Sequence, residues 1–237
     1  DEYKTPPAGS VGFVSTFSDP VGGLNVLVDK MASQCSIKYG KRAIKVNTEA
    51  KSVLFEDGEV IWYDKLISTI PLNILLAICG KEDYRLPYTS VLVINIGAEK
   101  TEYTPEEHWL YEPFCNSGFY RIGFYSNVDK SKAPEGMVSL SVEMAFRGIE
   151  YKDLNVEAIC KDVIKELKKW RFIGDGDVKV IDPTWVKTAY TWLYDKDDAN
   201  IQIEWLKRRD ILSIGRYGAW KFQGMTQSIA DGLGVEV

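Results

Sequence analysis

The chain has 237 residues, enough for one large domain or two small ones with a real core. Apolar residues make up 45% and charged residues 27%, the composition of an ordinary globular protein. The formal net charge of −5 excludes the basic footprint that nucleic acid requires.

The first stretch, DEYKTPPAGS, is acidic and then Pro/Gly-rich, unlike a signal peptide. The chain opens at Asp1 without Met and reads as a fragment or a processed piece. VGFVSTF (residues 11–17) reads as a strand, SDPVGG (18–23) as a turn, and LNVLVDKMASQ (24–34) as a helix. Leu24, Leu27, Val28 and Met31 fall on one face of that helix. A strand around RAIKV follows, then a hairpin turning at Asp57-Gly58, the dipeptide best suited to such a turn. KLISTI reads as a buried strand ending at Pro71, and LNILLAICG as a helix closed by Gly80.

YTSVLVINIGA (88–98) and GMVSLSVEMAF (136–146) are long strands, with PEEHWLYEP and FYRIGFYSN (119–127) as aromatic strands between them. NVEAICKDVIKELKKW (155–170) is the clearest helix. Val156, Ile159, Val163, Leu167 and Trp170 keep helical spacing, and lysines fill its last turns. VKVIDPTWVKTAYTWLY is extended, DDANIQIEWLKRRD helical, and ILSIG a short buried strand. Strands outnumber helices and hairpins are local. The expected fold is α+β, a mixed, largely antiparallel sheet with helices packed on one side.

No apolar run reaches the ~18 residues of a membrane span. LISTIPLNILLAIC comes nearest and is broken by Pro71 and Asn73. Cys35, Cys79, Cys115 and Cys160 lie far apart and form no C-x-x-C pair, which argues against zinc. They read as buried thiols of a reducing cytoplasm. His108 is the single histidine, so a Ser-His-Asp mechanism must use it or not exist. It reads as a partly exposed side chain beside Trp109. No G-x-G-x-x-G, P-loop or H-E-x-x-H pattern occurs, and the acidic GDGD (174–177) reads as a tight turn.

SIGRYGAWKFQGMTQSIADG (213–232) is the segment that a plain core does not require. Gly215 and Gly218 allow close approach or positive φ, and Arg216 offers planar donors. Met225, Ile229 and Leu233 follow at helical spacing, so a helix opens near Gly224. A turn of this kind ahead of a helix start suits an anion or a polar ring.

This segment resembles the C-terminal, flavin-contacting part of UDP-galactopyranose mutases and related FAD oxidoreductases of the amine oxidase and protoporphyrinogen oxidase group. GGLNVLVDKMA, YDKLISTIPL and HWLYEPF…FYRIGFYSN are similar to further segments of that family, in the same order. The resemblance implies FAD as cofactor. It implies cofactor contacts at Gly22, Gly23, Ala43, Pro71, Gly215, Arg216, Met225, Thr226 and Gln227. It implies substrate contacts at Tyr111, Arg121, Asn127 and Tyr190 or Tyr194, gripping the diphosphate of a nucleotide sugar. It also implies a single substrate-binding and flavin-covering domain. Residues 1–71 and 205–237 would lie near the flavin and 72–204 near the substrate.

Phe222 departs from the Tyr usual in mutases, and Thr226 from a common acidic residue. AYTWLYD lacks the family's proline. The missing Gly-rich motif implies a dinucleotide-binding unit elsewhere in the polypeptide or on a partner chain, with FAD weak or absent in this chain alone. Two alternatives remain at this point. One is an amine or protoporphyrinogen-type oxidase piece, although YTSVLVINIGA carries no Lys. The other is a binding domain that kept the fold and lost the cofactor.

Overall fold

A computed structural model describes residues 20, 22–81, 86–112, 114–176, 178–191 and 196–235. Helix α1 (Asn25–Ala32) is followed by a three-stranded antiparallel sheet, β1 (Ala43–Asn47), β2 (Ser52–Phe55) and β3 (Val60–Trp62). The β2–β3 turn is the expected one, with Gly58 at φ 86°. Strand β4 (Leu66–Ser68) pairs in parallel with β10 (Ile211–Ser213), in register Leu66 to Ile211 and Ser68 to Ser213.

The largest sheet has five antiparallel strands. Its spatial order is β6 (Trp109–Tyr111), β7 (Arg121–Phe124), β8 (Met137–Phe146), β5 (Thr89–Glu99) and β9 (Val180–Tyr190). Side chains alternate across a sheet, so each strand offers one face to a core. Leu92, Ile94 and Ile96 of β5, Ile122 and Phe124 of β7, and Leu140 and Val142 of β8 form that face. Helix α4 (Val156–Lys169) covers it through Cys160, Val163 and Leu167. Asn155 starts the helix by accepting the Ala158 N–H at 3.1 Å.

A second core joins Val46 and Val53 to Leu72, Leu75 and Leu76 of α2 (Leu72–Ile78), and to Ala199 and Leu206 of α5 (Lys196–Lys207). The chain ends in two helices, the short α6 (Gly215–Gly218) and α7 (Met225–Leu233). Among the described residues, no helix is long and apolar enough to cross a membrane.

Several expectations change. The strand expected at 11–17 lies outside the described residues. The strand expected over 119–127 stops at Phe124, and Tyr125–Val128 forms a helical turn, α3. The segment KLISTI is not wholly buried, because Ile67 and Ile70 are exposed while Ser68 faces inward. Cys35 is exposed rather than buried. It follows α1, which buries none of its own residues in this chain.

Candidate functional site: two clefts on either side of α1

The face of the five-stranded sheet opposite α4 is polar. Tyr111 pairs with Arg121 across β6–β7, and Arg121 pairs with Glu143 across β7–β8. Directly paired residues share a face, so the three side chains stand in one row. Arg121 Nη2 meets Glu143 Oε1 at 3.0 Å. The other carboxylate oxygen accepts the Tyr120 hydroxyl at 2.7 Å. Tyr120 and Tyr190 hydroxyls lie 2.9 Å apart.

Proton order follows from valence. Tyr120 has one proton and gives it to the carboxylate, so Tyr190 donates to Tyr120. Burial, aided by the Tyr190 and Glu143 bonds, pushes the Tyr120 phenol well above its ordinary value, so it stays protonated. Burial alone would lower Arg121, but the Glu143 charge outweighs it and the guanidinium is held as a cation. Glu143 is 12% exposed and Arg121 31%, and Arg121 borders an opening.

That opening is a cleft of about 600 Å³. Arg121, Gly123, Trp109 and His108 form its sheet side, and Gly22, Gly23 and the start of α1 face them. Lys132 and Tyr125 close one end.

The second cleft, about 760 Å³, lies against the other part of α1. Leu27, Val28 and Met31 make one wall, and Gly215, Arg216, Met225 and Ile229 the other. The two glycines of GRYG have different causes. A Cβ on Gly218 would stand 3.0 Å from both the Ser68 carbonyl and Ser213 Oγ, so Gly218 is required by packing on the β4–β10 pair. Gly215 has φ 77° and open space where a Cβ would stand, and it borders the cleft. Its N–H donates to Asp231 at 3.3 Å, and Asp231 also holds Lys221 and Gln223. The Gly215 turn is thereby tied to α7. Arg216 Nη1 donates to the Gln223 carbonyl at 3.4 Å. Its guanidinium lies 5.3 Å from the Phe222 ring and 5.9 Å from that of Tyr190.

The model of flavin-containing amine oxidoreductases matches residues 6–197. The chain belongs to that family. Among solved structures, it is similar to a reduced UDP-galactopyranose mutase, with 28% identity and TM-score 0.71 over 85% of this chain and 47% of the mutase. Its fold is also that of an Exiguobacterium protein named as a protoporphyrinogen oxidase, with 15% identity and TM-score 0.67 over 88% and 49% of the two chains. A CLA-producing fatty acid isomerase from P. acnes matches with 13% identity and TM-score 0.59, over 89% and 51%. The chain thus spans about half the length of these relatives.

For a family member of this kind, the fit of a flavin can be tested on the second cleft. Its apolar walls suit a planar ring, and Arg216 beside the open Gly215 suits an anionic group. One wall of a flavin site fits these residues.

Of the expected cofactor contacts, Gly215, Arg216 and Met225 border this second cleft, while Gly22 and Gly23 border the first. Thr226 and Gln227 line neither, and the Gln227 side chain turns back to accept the Gly224 N–H at 3.0 Å. Ala43 packs against the second core. Pro71 caps α2 at φ −52°, where its missing N–H costs nothing.

Of the expected substrate contacts, Tyr111 and Arg121 are neighbours on one face. Asn127 Nδ2 donates to the Pro105 and Glu107 carbonyls, each at 2.8 Å, which ties it to that loop. Tyr190 gives its proton to Tyr120, so toward a ligand its oxygen is an acceptor and adds no donor to a phosphate grip. Tyr194 lies outside the described residues. Glu143, Tyr120 and Asp231 were absent from the sequence reading. The signal for Glu143 was a single acid in the apolar strand SLSVEMAF, on the alternate positions that leave the core.

Proposed function

We propose that this chain is the substrate-binding and flavin-covering portion of an FAD-dependent enzyme resembling UDP-galactopyranose mutase, acting on a nucleotide sugar or a related small molecule. The row Tyr111–Arg121–Glu143, whose Arg121 lines the first cleft, carries the reading. A guanidinium held in place, with a phenol beside it, matches the charge and geometry of a nucleoside diphosphate. Trp109 and Tyr125 supply flat apolar surface in the same cleft.

In this reading, Arg121 binds the diphosphate and stabilises negative charge as it leaves the sugar. Tyr111 adds a hydroxyl donor from the neighbouring strand. Across α1, Arg216 and the Gly215 turn hold the anionic part of FAD, and Leu27, Val28 and Met31 shield its ring from water. Bound flavin supplies an N5 centre able to attack an anomeric carbon or accept hydride. The remaining wall of the cofactor site belongs to a dinucleotide-binding unit, in the same polypeptide or on a partner chain. The exposed apolar side chains of α1 support this.

Phe222 favours a second reading. It stands where the resemblance implies a mutase Tyr for the substrate diphosphate, so one substrate-phosphate donor is missing. A flavin-linked oxidation of another small molecule requires fewer phosphate contacts. Incubating the full-length protein, with its flavin reduced, with a UDP-hexopyranose separates the two. A ring-contracted isomer without net redox supports the first reading. Oxygen uptake with an amine or porphyrinogen, and no isomer, supports the second.

A further inference from the structure

A run of polar contacts leads from the first cleft to Tyr190, whose ring lies near the second. It starts at Arg121, passes through Glu143 and Tyr120, and ends at the Tyr190 hydroxyl; the Tyr190 ring lies 5.9 Å from the Arg216 guanidinium of the second cleft. Glu143 is the branch point. Each of its oxygens has a different partner, a cation on one side and a phenol on the other. It emerges from the middle of β8, whose neighbours Val142 and Met144 are buried in the core. Its backbone is therefore rigid, and its carbonyl also receives the Tyr120 N–H at 3.0 Å.

We propose that Glu143 is a positioning residue for the anion-binding cleft, holding the Arg121 fork in one orientation for a nucleoside diphosphate while its second oxygen locks Tyr120 and Tyr190. The inference rests on the reading that Arg121 binds that ligand. An unpaired guanidinium on a strand samples several rotamers, and ordering it on binding opposes affinity. Glu143 removes that opposition by ordering it beforehand. Glu143 meets the fork through Nη2, at one of the five N–H donors that a guanidinium carries. A carboxylate beside the site also repels a phosphate, so two effects of opposite sign compete. The double anchoring of Glu143 favours the positioning effect.

The test is equilibrium binding of UDP and of uridine to the full-length protein, for the parent, Arg121→Ala, Glu143→Gln and Glu143→Ala, each with a thermal melt. Uridine shares the base and ribose but lacks the anion. Glu143→Ala is expected to weaken UDP about tenfold with uridine unchanged, and Glu143→Gln, which keeps one acceptor, to fall between. Tighter UDP binding in both Glu143 variants overturns the proposal, because the carboxylate then acts only by repulsion. Equal weakening of UDP and uridine also overturns it, because the role is then structural. UDP binding that falls in Arg121→Ala but not in either Glu143 variant refutes positioning while leaving the role of Arg121 intact. Unchanged UDP affinity in Arg121→Ala refutes the underlying reading itself.

Discussion

At the scale of residues, the site separates side chains that face a ligand from side chains that hold the frame. Tyr111 is 62% exposed beside Arg121. Removing its hydroxyl in Tyr111→Phe is expected to weaken UDP by ~1 kcal/mol, measured by titration, without changing the melting temperature. Asn127 behaves in the opposite way. Its amide bridges two loop carbonyls, so Asn127→Ala is expected to cost ~1–3 kcal/mol of stability in a denaturant melt and to leave UDP affinity unchanged. Tyr111 and Arg121 were legible through the resemblance of HWLYEPF…FYRIGFYSN to a family segment, and the structure pairs them across two strands. The sequence could not separate Asn127 from them. Which partner an amide finds depends on loops at residues 105 and 107, far along the chain.

At the scale of elements, periodic segments were the most legible. Helix α4 and strands β5 and β8 lie within a residue or two of their expected limits, because each has an apolar repeat that buries one face. Leu167 is fully buried between α4 and the sheet, so Leu167→Ala is expected to cost about 2–5 kcal/mol in a denaturant melt. The α3 turn was not legible. Its ends, Tyr125 and Val128, are strand-favouring residues, yet the chain turns after Phe124.

The Gly215–α7 link has a pH signature. Burial pushes the Asp231 carboxyl up, but bonds from Lys221, Gln223 and the Gly215 N–H outweigh it and hold the group below its ordinary 3.8. Its contribution is therefore fully present above that value and lost as pH falls through the lower folded value. Thermal melts between about pH 5 and pH 2 are expected to fall more steeply for the parent than for Asp231→Asn. Parallel curves would remove Asp231 from the linkage.

At the scale of the whole molecule, two cores build two clefts, and apolar surface remains outside both. Ile67, Ile70 and Ile74 are exposed near β4 and α2, and Leu233 on α7 is 84% exposed. Local patterns made the α+β class readable. They did not reveal that the strands divide among three sheets, because long-range pairing such as β4 with β10 leaves no short-range trace. They also did not reveal that Gly22 and Gly23 stand in the sheet-side cleft rather than beside Gly215. In the proposed reading, residues 1–237 alone supply one wall of a flavin site. Expressed by themselves, they are expected to purify colourless, as read from the visible absorption spectrum.

In the proposed reading, the cleft at the start of α1 and the cleft along its later residues serve different ligands. Calorimetric titration of the full-length protein with FAD and with UDP tests it directly, using the parent, Arg216→Ala and Arg121→Ala. Arg216→Ala is expected to weaken FAD by ~1.5–3 kcal/mol and keep UDP, while Arg121→Ala weakens UDP by a similar amount and keeps FAD. Parent-like affinity for both ligands in both variants would contradict the account.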